Sequence, residues 1–287
     1  MELMEGESYV TDPSIATAVY LALELRKPLL VEGHAGVGKT EIAKVLARAL
    51  ETELIRLQCY EGLDATHALY EWNYPKQLLR IKLEEATDRP AEEKEDDIFS
   101  EPYLLKRPLL EAIAYDGSPP VLLVDEVDRS DEEFEAFLLE VLSDFQVSIP
   151  EIGTVRAERP PWVVLTSNRS RDLSDALRRR CLYLWIDYPS FEKEVLIVQR
   201  KVPGVSERLA SEIASFLHGL REMKLGKVPG VSEALDWGRA LVTLHAEHLD
   251  ETLVRETLGC VLKDERDLRR VAGMEDDELL ALTRAAG

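Results

Sequence analysis

The sequence predicts an α/β protein: a five-stranded parallel sheet with helices on both faces, followed by a smaller all-helical region. Three observations carry this. Five short apolar runs alternate with helical patterns, and strands that read as continuous apolar segments are those of parallel sheets buried on both faces. A glycine-rich segment, GHAGVGKT at Gly33–Thr40, follows the first run and opens a helix. After Tyr188-Pro189 the strand signals stop and only helical periodicity remains.

In chain order, Asp12-Pro13 reads as a helix start, with Asp as N-cap and Pro in the first turn. Ile15, Ala18, Val19, Ala22 and Leu23 then recur at helical spacing until Lys27-Pro28. Leu29–Val31 is the first strand, and a helix runs from about Lys39 to Leu50. Further strands fall at Leu54–Gln58, Val121–Val124, Trp162–Thr166 and Leu182–Ile186, with a helix at Glu132–Leu142 among them. Helices are expected at Phe191–Lys201, Glu207–Leu220, Glu233–His245 and Glu251–Lys263. The domain expectation is therefore 1–188 for the αβα part and 189–287 for the helical part. The heptapeptide KVPGVSE occurs twice, at Lys201–Glu207 and Lys227–Glu233. Both copies read as Pro-Gly turns leading to a Ser N-cap, Ser206 and Ser232.

With 287 residues, 45% hydrophobic and 31% charged, the chain can bury a large core without staples. No apolar run approaches the ~20 residues of a membrane span. MELMEGESYV lacks the basic and apolar regions of a signal peptide. Cys59, Cys181 and Cys260 have no paired spacing, so neither a zinc site nor a disulfide framework is expected, and a cytoplasmic location fits. The net charge of -20 argues against broad nucleic-acid binding, which needs a basic face. Against that background, Arg169, Arg171, Arg178, Arg179 and Arg180 form a local basic cluster suited to a specific anion. Glu84–Glu101 holds nine acidic residues against Arg89 and Lys94, and reads as a solvated insertion. Tyr70, Trp72 and Tyr74 read equally as a partner-facing tip or as packing.

The chemistry sits at the ends of strands. Gly33, Gly36 and Gly38 let the backbone approach an anion, and the loop amides and helix N-terminus point at phosphate oxygens. Lys39 is placed to reach the β- and γ-phosphates of a nucleotide, and Thr40 to give its hydroxyl to Mg²⁺. Val121–Val124 ends in Asp125-Glu126, at the carboxyl edge where open α/β sheets bind ligands. Asp125 is the expected metal-site carboxylate and Glu126 the group that polarises the attacking water. Asn168, after the fourth strand, could meet the γ-phosphate or that water, or simply occupy a turn. Arg178, Arg179 and Arg180 end a short helix begun near Leu173; helix-dipole capping accounts for one or two of them but not three.

These motifs, in this order, resemble the AAA+ ATPases and, within them, the MoxR family, across nearly the whole chain. The resemblance implies an αβα nucleotide-binding domain with a helical lid, ATP and Mg²⁺ as cofactors, and a ring oligomer, usually a hexamer. Gly33–Thr40 looks like Walker A, so Gly33, His34, Ala35, Gly36, Val37, Gly38, Lys39, Thr40 and Glu41 are the expected nucleotide contacts. Asp125 and Glu126 look like Walker B, with Thr40 and Asp125 at the metal. Asn168 matches sensor 1. Arg180 matches the arginine that acts on a neighbour's ATP, with Arg179 as the alternative. Residues 69–99 resemble the helix 2 insertion, 146–157 the hairpin before sensor 1, and Gln58 the polar residue that restrains the catalytic Glu. Two features depart from the pattern: Gly230–Leu235 lacks the sensor 2 Arg, the nearest being Arg239, and the insertion is longer and more acidic.

QCYEGLDATHALYEWNYPKQLL (Gln58–Leu79) and RRRCLYLWIDYP (Arg178–Pro189) resemble the narrower CoxD-like branch, associated with maturation of molybdenum-containing carbon monoxide dehydrogenases. That implies a protein client and an adaptor with a von Willebrand factor A domain. The competing readings are a P-loop small-molecule kinase, which has no use for Asn168 followed by Arg180, and an AAA+ DNA-handling loader, which the charge disfavours.

Overall fold

The computed structural model describes residues 9–84, 90 and 97–284. The N-terminal reading therefore lies outside the described residues apart from Tyr9 and Val10, as do residues 85–89 and 91–96 of the acidic stretch. In chain order the elements are α1 (Pro13–Leu25), β1 (Leu29–Gly33), α2 (Lys39–Ala49), β2 (Leu54–Gln58), α3 (Ala65–Leu69), β3 (Tyr70–Trp72) and α4 (Tyr74–Glu84). Then come β4 (Leu104–Lys106), α5 (Pro108–Ile113), β5 (Val121–Asp125), α6 (Glu132–Asp144), β6 (Gln146–Ile149), β7 (Gly153–Arg156), β8 (Trp162–Ser167), α7 (Asp175–Arg180) and β9 (Leu182–Ile186). The rest is helical: α8 (Phe191–Lys201), α9 (Glu207–Glu222), α10 (Val231–Thr243), α11 (Glu251–Val261), α12 (Glu265–Ala272) and α13 (Asp276–Ala281).

The five predicted strands form one parallel sheet in the order β2-β5-β8-β1-β9. Its interior members β1 and β5 are buried at every position, which explains the apolar runs Leu29–Val31 and Val121–Val124. The register pairs Gln58 with Asp125 and Glu32 with Ser167. The polar residues thus collect at the carboxyl ends of the strands.

Two compact units divide the chain. One comprises Thr17–Glu32 with Thr40–Leu184, and the other comprises Gly33–Lys39 with Trp185 onward and the residues up to Ala16. In the first, Leu30, Leu109, Leu122, Leu138 and Leu165 are at most 1% exposed. In the second, Phe216 and Trp237 are fully buried with ring centroids 5.1 Å apart, and the Trp237 indole N–H donates to the Thr257 hydroxyl at 2.8 Å.

Three local findings modify the sequence reading. An antiparallel pair, β3 with β4, was not expected, since strands this short leave too little alternation to detect, whereas the antiparallel pair β6 with β7 lies inside the stretch 146–157 expected as a hairpin. The two KVPGVSE copies behave differently. Ser206 caps α9, accepting from the Leu209 N–H at 3.1 Å. Ser232 is not a cap: Gly230 is the N-cap of α10, the Glu233 carboxylate accepts from the Gly230 N–H at 2.8 Å, and the Ser232 N–H donates to the Gly36 carbonyl at 3.1 Å.

The aromatic trio also divides. Trp72 is buried, edge-on to Phe99 and Tyr70, whereas Tyr74 stands 59% exposed on α4. Truncating a buried Trp leaves a cavity as well as losing transfer energy, so Trp72→Ala is expected to cost about 3–5 kcal/mol. Tyr74→Ala is expected to stay within about 0.5 kcal/mol of the parent. Urea unfolding of both variants checks this.

Candidate active site

The glycine loop belongs to the second unit, and its geometry explains its composition. Gly36 has φ +74, a left-handed conformation that costs a side-chain-bearing residue strain. A Cβ at Gly33 would lie 2.1 Å from the Ile186 carbonyl oxygen, so Gly33 is required by close packing against β9 and not only by an approaching anion. Lys39 is 7% exposed, and its ammonium donates to the carbonyls of Gly33 at 2.9 Å and His34 at 2.6 Å. The positive charge is thereby held inside the curl of the loop. The His34 ring stacks on Tyr188, with centroids 4.6 Å apart and planes 8° from parallel. A cleft of about 480 Å³ beside the loop is lined by His34, Gly36, Tyr188, Lys227, Pro229 and Glu233, among others. Burial pushes the Tyr188 phenol above its ordinary pKa, so it stays protonated and neutral.

The carboxylates belong to the first unit. Asp125, at the end of β5, is 3% exposed and receives three donors. The Thr40 hydroxyl donates to Oδ1 at 3.1 Å, the Thr166 hydroxyl donates to the same oxygen, and the Arg56 guanidinium donates to Oδ2. Thr166 has a second task. Its hydroxyl oxygen accepts from the Glu126 N–H at 2.9 Å, and Glu126 itself is left-handed, with φ 55. A non-glycine residue in that region persists only where its surroundings hold it. The Glu126 side chain is held too: Gln58 donates to Oε2 at 3.2 Å and Asn168 to Oε1 at 3.4 Å. Four expected residues, Gln58, Asp125, Glu126 and Asn168, are thus brought into one hydrogen-bonded group with Thr40.

From Asn168 the chain continues toward the arginines along a path fixed by buried acids. Asp128 is 3% exposed and accepts from the Asn168 N–H at 3.1 Å and from the Ser170 N–H at 2.8 Å. Glu135 is 1% exposed, accepts from the Ser174 N–H at 2.9 Å and is ion-paired with Arg171. Ser174 caps α7, which carries the Arg triplet. Arg178 turns inward to Glu32 at 3.0 Å. Arg180 is exposed, with one N–H on the Leu139 carbonyl at 3.2 Å. Arg179 is exposed and its side chain has no partner among the described residues. Arg239, the nearest arginine to the sensor 2 stretch, pairs with Asp236 at 3.0 Å on its own helix, α10.

Sequence reasoning missed Glu32, Arg56, Asp128 and Glu135. The signal for Glu32 was available: an acid inside an otherwise apolar buried strand needs a partner.

The chain is similar to known proteins. The AAA domain (dynein-related subfamily) profile matches residues 28–181, more than half of the chain. The chain belongs to this family. An uncharacterised protein of Staphylococcus haemolyticus is 24% identical over 279 residues, covering 94% of this chain and 97% of that one. Another, from Staphylococcus epidermidis, is 24% identical over 271 residues, covering 91% and 94%. Among solved structures, two Thermotoga maritima RuvB mutants share the fold. One has a TM-score of 0.54 at 19% identity, covering 95% of this chain and 75% of that one. The other scores 0.52 at 18%, covering 92% and 72%. The AAA+ P-loop fold, a five-stranded parallel sheet with C-terminal helices, is therefore established for this chain. Among the described residues, no helix is long and apolar enough to cross a membrane.

The cysteines give a simple solution check. Cys59 lies beside the carboxylates, and burial, reinforced by the charges of Asp125, Asp128 and Glu126, pushes its thiol up to about 12. Burial pushes Cys181 up to about 12 as well. Folding favours the thiol over the thiolate at both positions. That contribution is fully present below pH 9, the ordinary value, and is lost as pH rises toward about 12. Native protein treated with iodoacetamide at pH 8 is expected to label at the half-buried Cys260 alone. Cys59 and Cys181 should label only after denaturation, and mass spectrometry of the alkylated peptides reads the difference.

Proposed function

We propose that the protein hydrolyses ATP at a site shared between neighbouring subunits of a ring, a hexamer, and uses the cycle to remodel a protein client. The observation that carries the reading is the cradle around Glu126. A carboxylate fixed on both oxygens by the amides of Gln58 and Asn168, next to an aspartate that meets a threonine hydroxyl, suits water activation beside a metal-bound phosphate. The resident residues fit Mg²⁺. Thr40 and Asp125 present hard oxygen donors 3.1 Å apart, and magnesium typically takes one or two protein oxygens with phosphate and water completing the shell. Bound there, the cation neutralises charge on the β- and γ-phosphates. Among the described residues, no cluster of three or more His, Cys, Asp or Glu could hold a metal without that help.

In this reading the loop Gly33–Thr40 and Glu41 hold the triphosphate, Lys39 its β- and γ-oxygens, and Thr40 and Asp125 the metal. Glu126 takes the proton of the attacking water and Asn168 orients it. The outward arginines of α7, Arg180 or Arg179, meet the γ-phosphate bound by the next subunit. The client class rests on charge. At -20 the chain has little to offer a phosphate backbone, and the likeness to RuvB speaks for the fold alone. MoxR membership, a von Willebrand factor A domain adaptor and a molybdenum-enzyme client of the CoxD-like type rest on the resemblance of Gln58–Leu79 and Arg178–Pro189, and a cytoplasmic site of action fits them.

Lys39→Ala is expected to abolish tight ATP binding. Glu126→Gln is expected to retain binding while hydrolysis falls about 10²–10⁴-fold, the usual share of a general base. Equal loss of ATP affinity in both variants, measured by fluorescent-nucleotide titration beside phosphate release, removes the assignment. The client face is expected to include the exposed apolar residues of α4, Tyr74, Leu78, Leu79 and Leu83, which are 59–66% exposed. Leu78→Asp with Leu79→Asp should lose ATP-dependent adaptor retention on the Glu126→Gln background while an otherwise unmodified enzyme carrying the pair keeps basal ATPase activity. A deletion strain that still produces fully metal-loaded molybdenum enzyme removes that client.

A further inference from the structure

Glu32 immediately precedes the glycine loop, yet its carboxylate is committed elsewhere. It is 1% exposed on β1. The Arg178 guanidinium and the Tyr183 phenol both donate to its Oε2 at 3.0 Å, and Arg169 lies 3.9 Å away. The Arg178 guanidinium also sits 5.7 Å from the centre of the Tyr183 ring. A carboxylate buried this deeply without compensating charge costs several kcal/mol. Its donors come from the loop after β8, from α7 and from β9. Arg178 has no other acidic partner among the described residues.

A helix turns about 100° per residue, so fixing one side chain fixes the directions of the next two. With Arg178 held inward, Arg179 and Arg180 are both left exposed. We infer that Glu32 is a positioning residue for α7: it anchors Arg178 and Tyr183 so that Arg179 and Arg180 are presented to the nucleotide of a neighbouring subunit. The inference rests on the shared-site reading above. It assigns to the residue before the phosphate loop a service to the neighbour's chemistry and not to its own subunit's nucleotide.

Complementation between full-length variants separates the two roles. Glu32→Gln keeps the shape and removes the charge. Alone, it should lower ATPase turnover by about tenfold or more, a fraction of the 10³–10⁵ that a trans-acting arginine supplies, with ATP affinity changed less than about twofold. Mixed with Lys39→Ala, it should regain activity, because some interfaces pair its intact loop with intact arginines. Mixed with an Arg179→Ala/Arg180→Ala double variant, it should regain nothing, because every arginine face is then impaired. The reverse pattern, or normal turnover by Glu32→Gln, overturns the inference.

Tyr183→Phe, which keeps the ion pair and drops one hydrogen bond, should show the same pattern more weakly. It carries the test should Glu32→Gln fail to fold, and normal turnover by Tyr183→Phe in that case also overturns the inference. Lys39→Ala mixed with the double arginine variant is the control. No recovery there sinks the shared-site reading itself and this inference with it. Recovery in the control with the reversed Glu32 pattern sinks the inference alone.

Discussion

A carboxylate removed from water must find donors, and that requirement organises the functional edge of this sheet. Glu32, Asp125, Asp128 and Glu135 are each at most 3% exposed. Each would be costly alone, and each is met by hydroxyls, backbone N–H groups or guanidinium groups drawn from other elements. Satisfying Asp125 requires Thr40, Thr166 and Arg56. Satisfying Asp128 and Glu135 pins the stretch from Asn168 to Ser174, and satisfying Glu32 pins α7. The segment that carries Asn168 toward the arginines is thus fixed by buried charge as well as by the apolar anchors Leu173 and Leu177. This explains how a stretch with only one short helix can hold several functional groups in register.

Of these acids only Asp125 was legible beforehand, together with Glu126, Gln58 and Asn168, because their signals are local. A strand, a glycine loop and a helix in sequence specify an anion site, and an apolar strand ending in Asp125-Glu126 at the carboxyl edge needs no long-range knowledge. The interior strands β1, β5 and β8 were legible because their burial is nearly complete and writes itself as apolar runs, while the edge strands β2 and β9 alternate buried with more exposed residues. Pairings across many residues were not legible. Glu32 meets Arg178 across 146 positions, and Arg56 meets Asp125 across 69. Only the fold brings those residues together, so the sequence shows a need for partners without naming them. Ser232 misled for a related reason. Its heptapeptide matches that of Ser206, but its N–H is claimed by Gly36, a residue far away in the chain.

The two threonines show how one side chain can serve chemistry and strain together. Thr166 donates to Asp125 and accepts from the backbone of Glu126, whose left-handed conformation aims its carboxylate at Gln58 and Asn168. A hydroxyl is the smallest group that can do both, because it is donor and acceptor at once. Thr40 meets the same carboxylate oxygen of Asp125 from the helix that continues the glycine loop. Two hydroxyls therefore converge on Oδ1, while the other oxygen faces Arg56.

That division of the Asp125 carboxylate links it to the edge strand β2. Arg56 sets a fixed positive charge beside the Asp125 carboxylate. It does so from Oδ2, leaving Oδ1 to the hydroxyls of Thr40 and Thr166. The arginine reaches the site from β2, from which Gln58 also contacts Glu126. Alternate residues of a strand point to the same face, and Arg56 and Gln58 are also joined to each other by a hydrogen bond. One edge strand therefore steadies both acids at once: Asp125 by the Arg56 guanidinium and Glu126 by the Gln58 amide. A single displacement of β2 would therefore disturb the contacts of Asp125 and of Glu126 together.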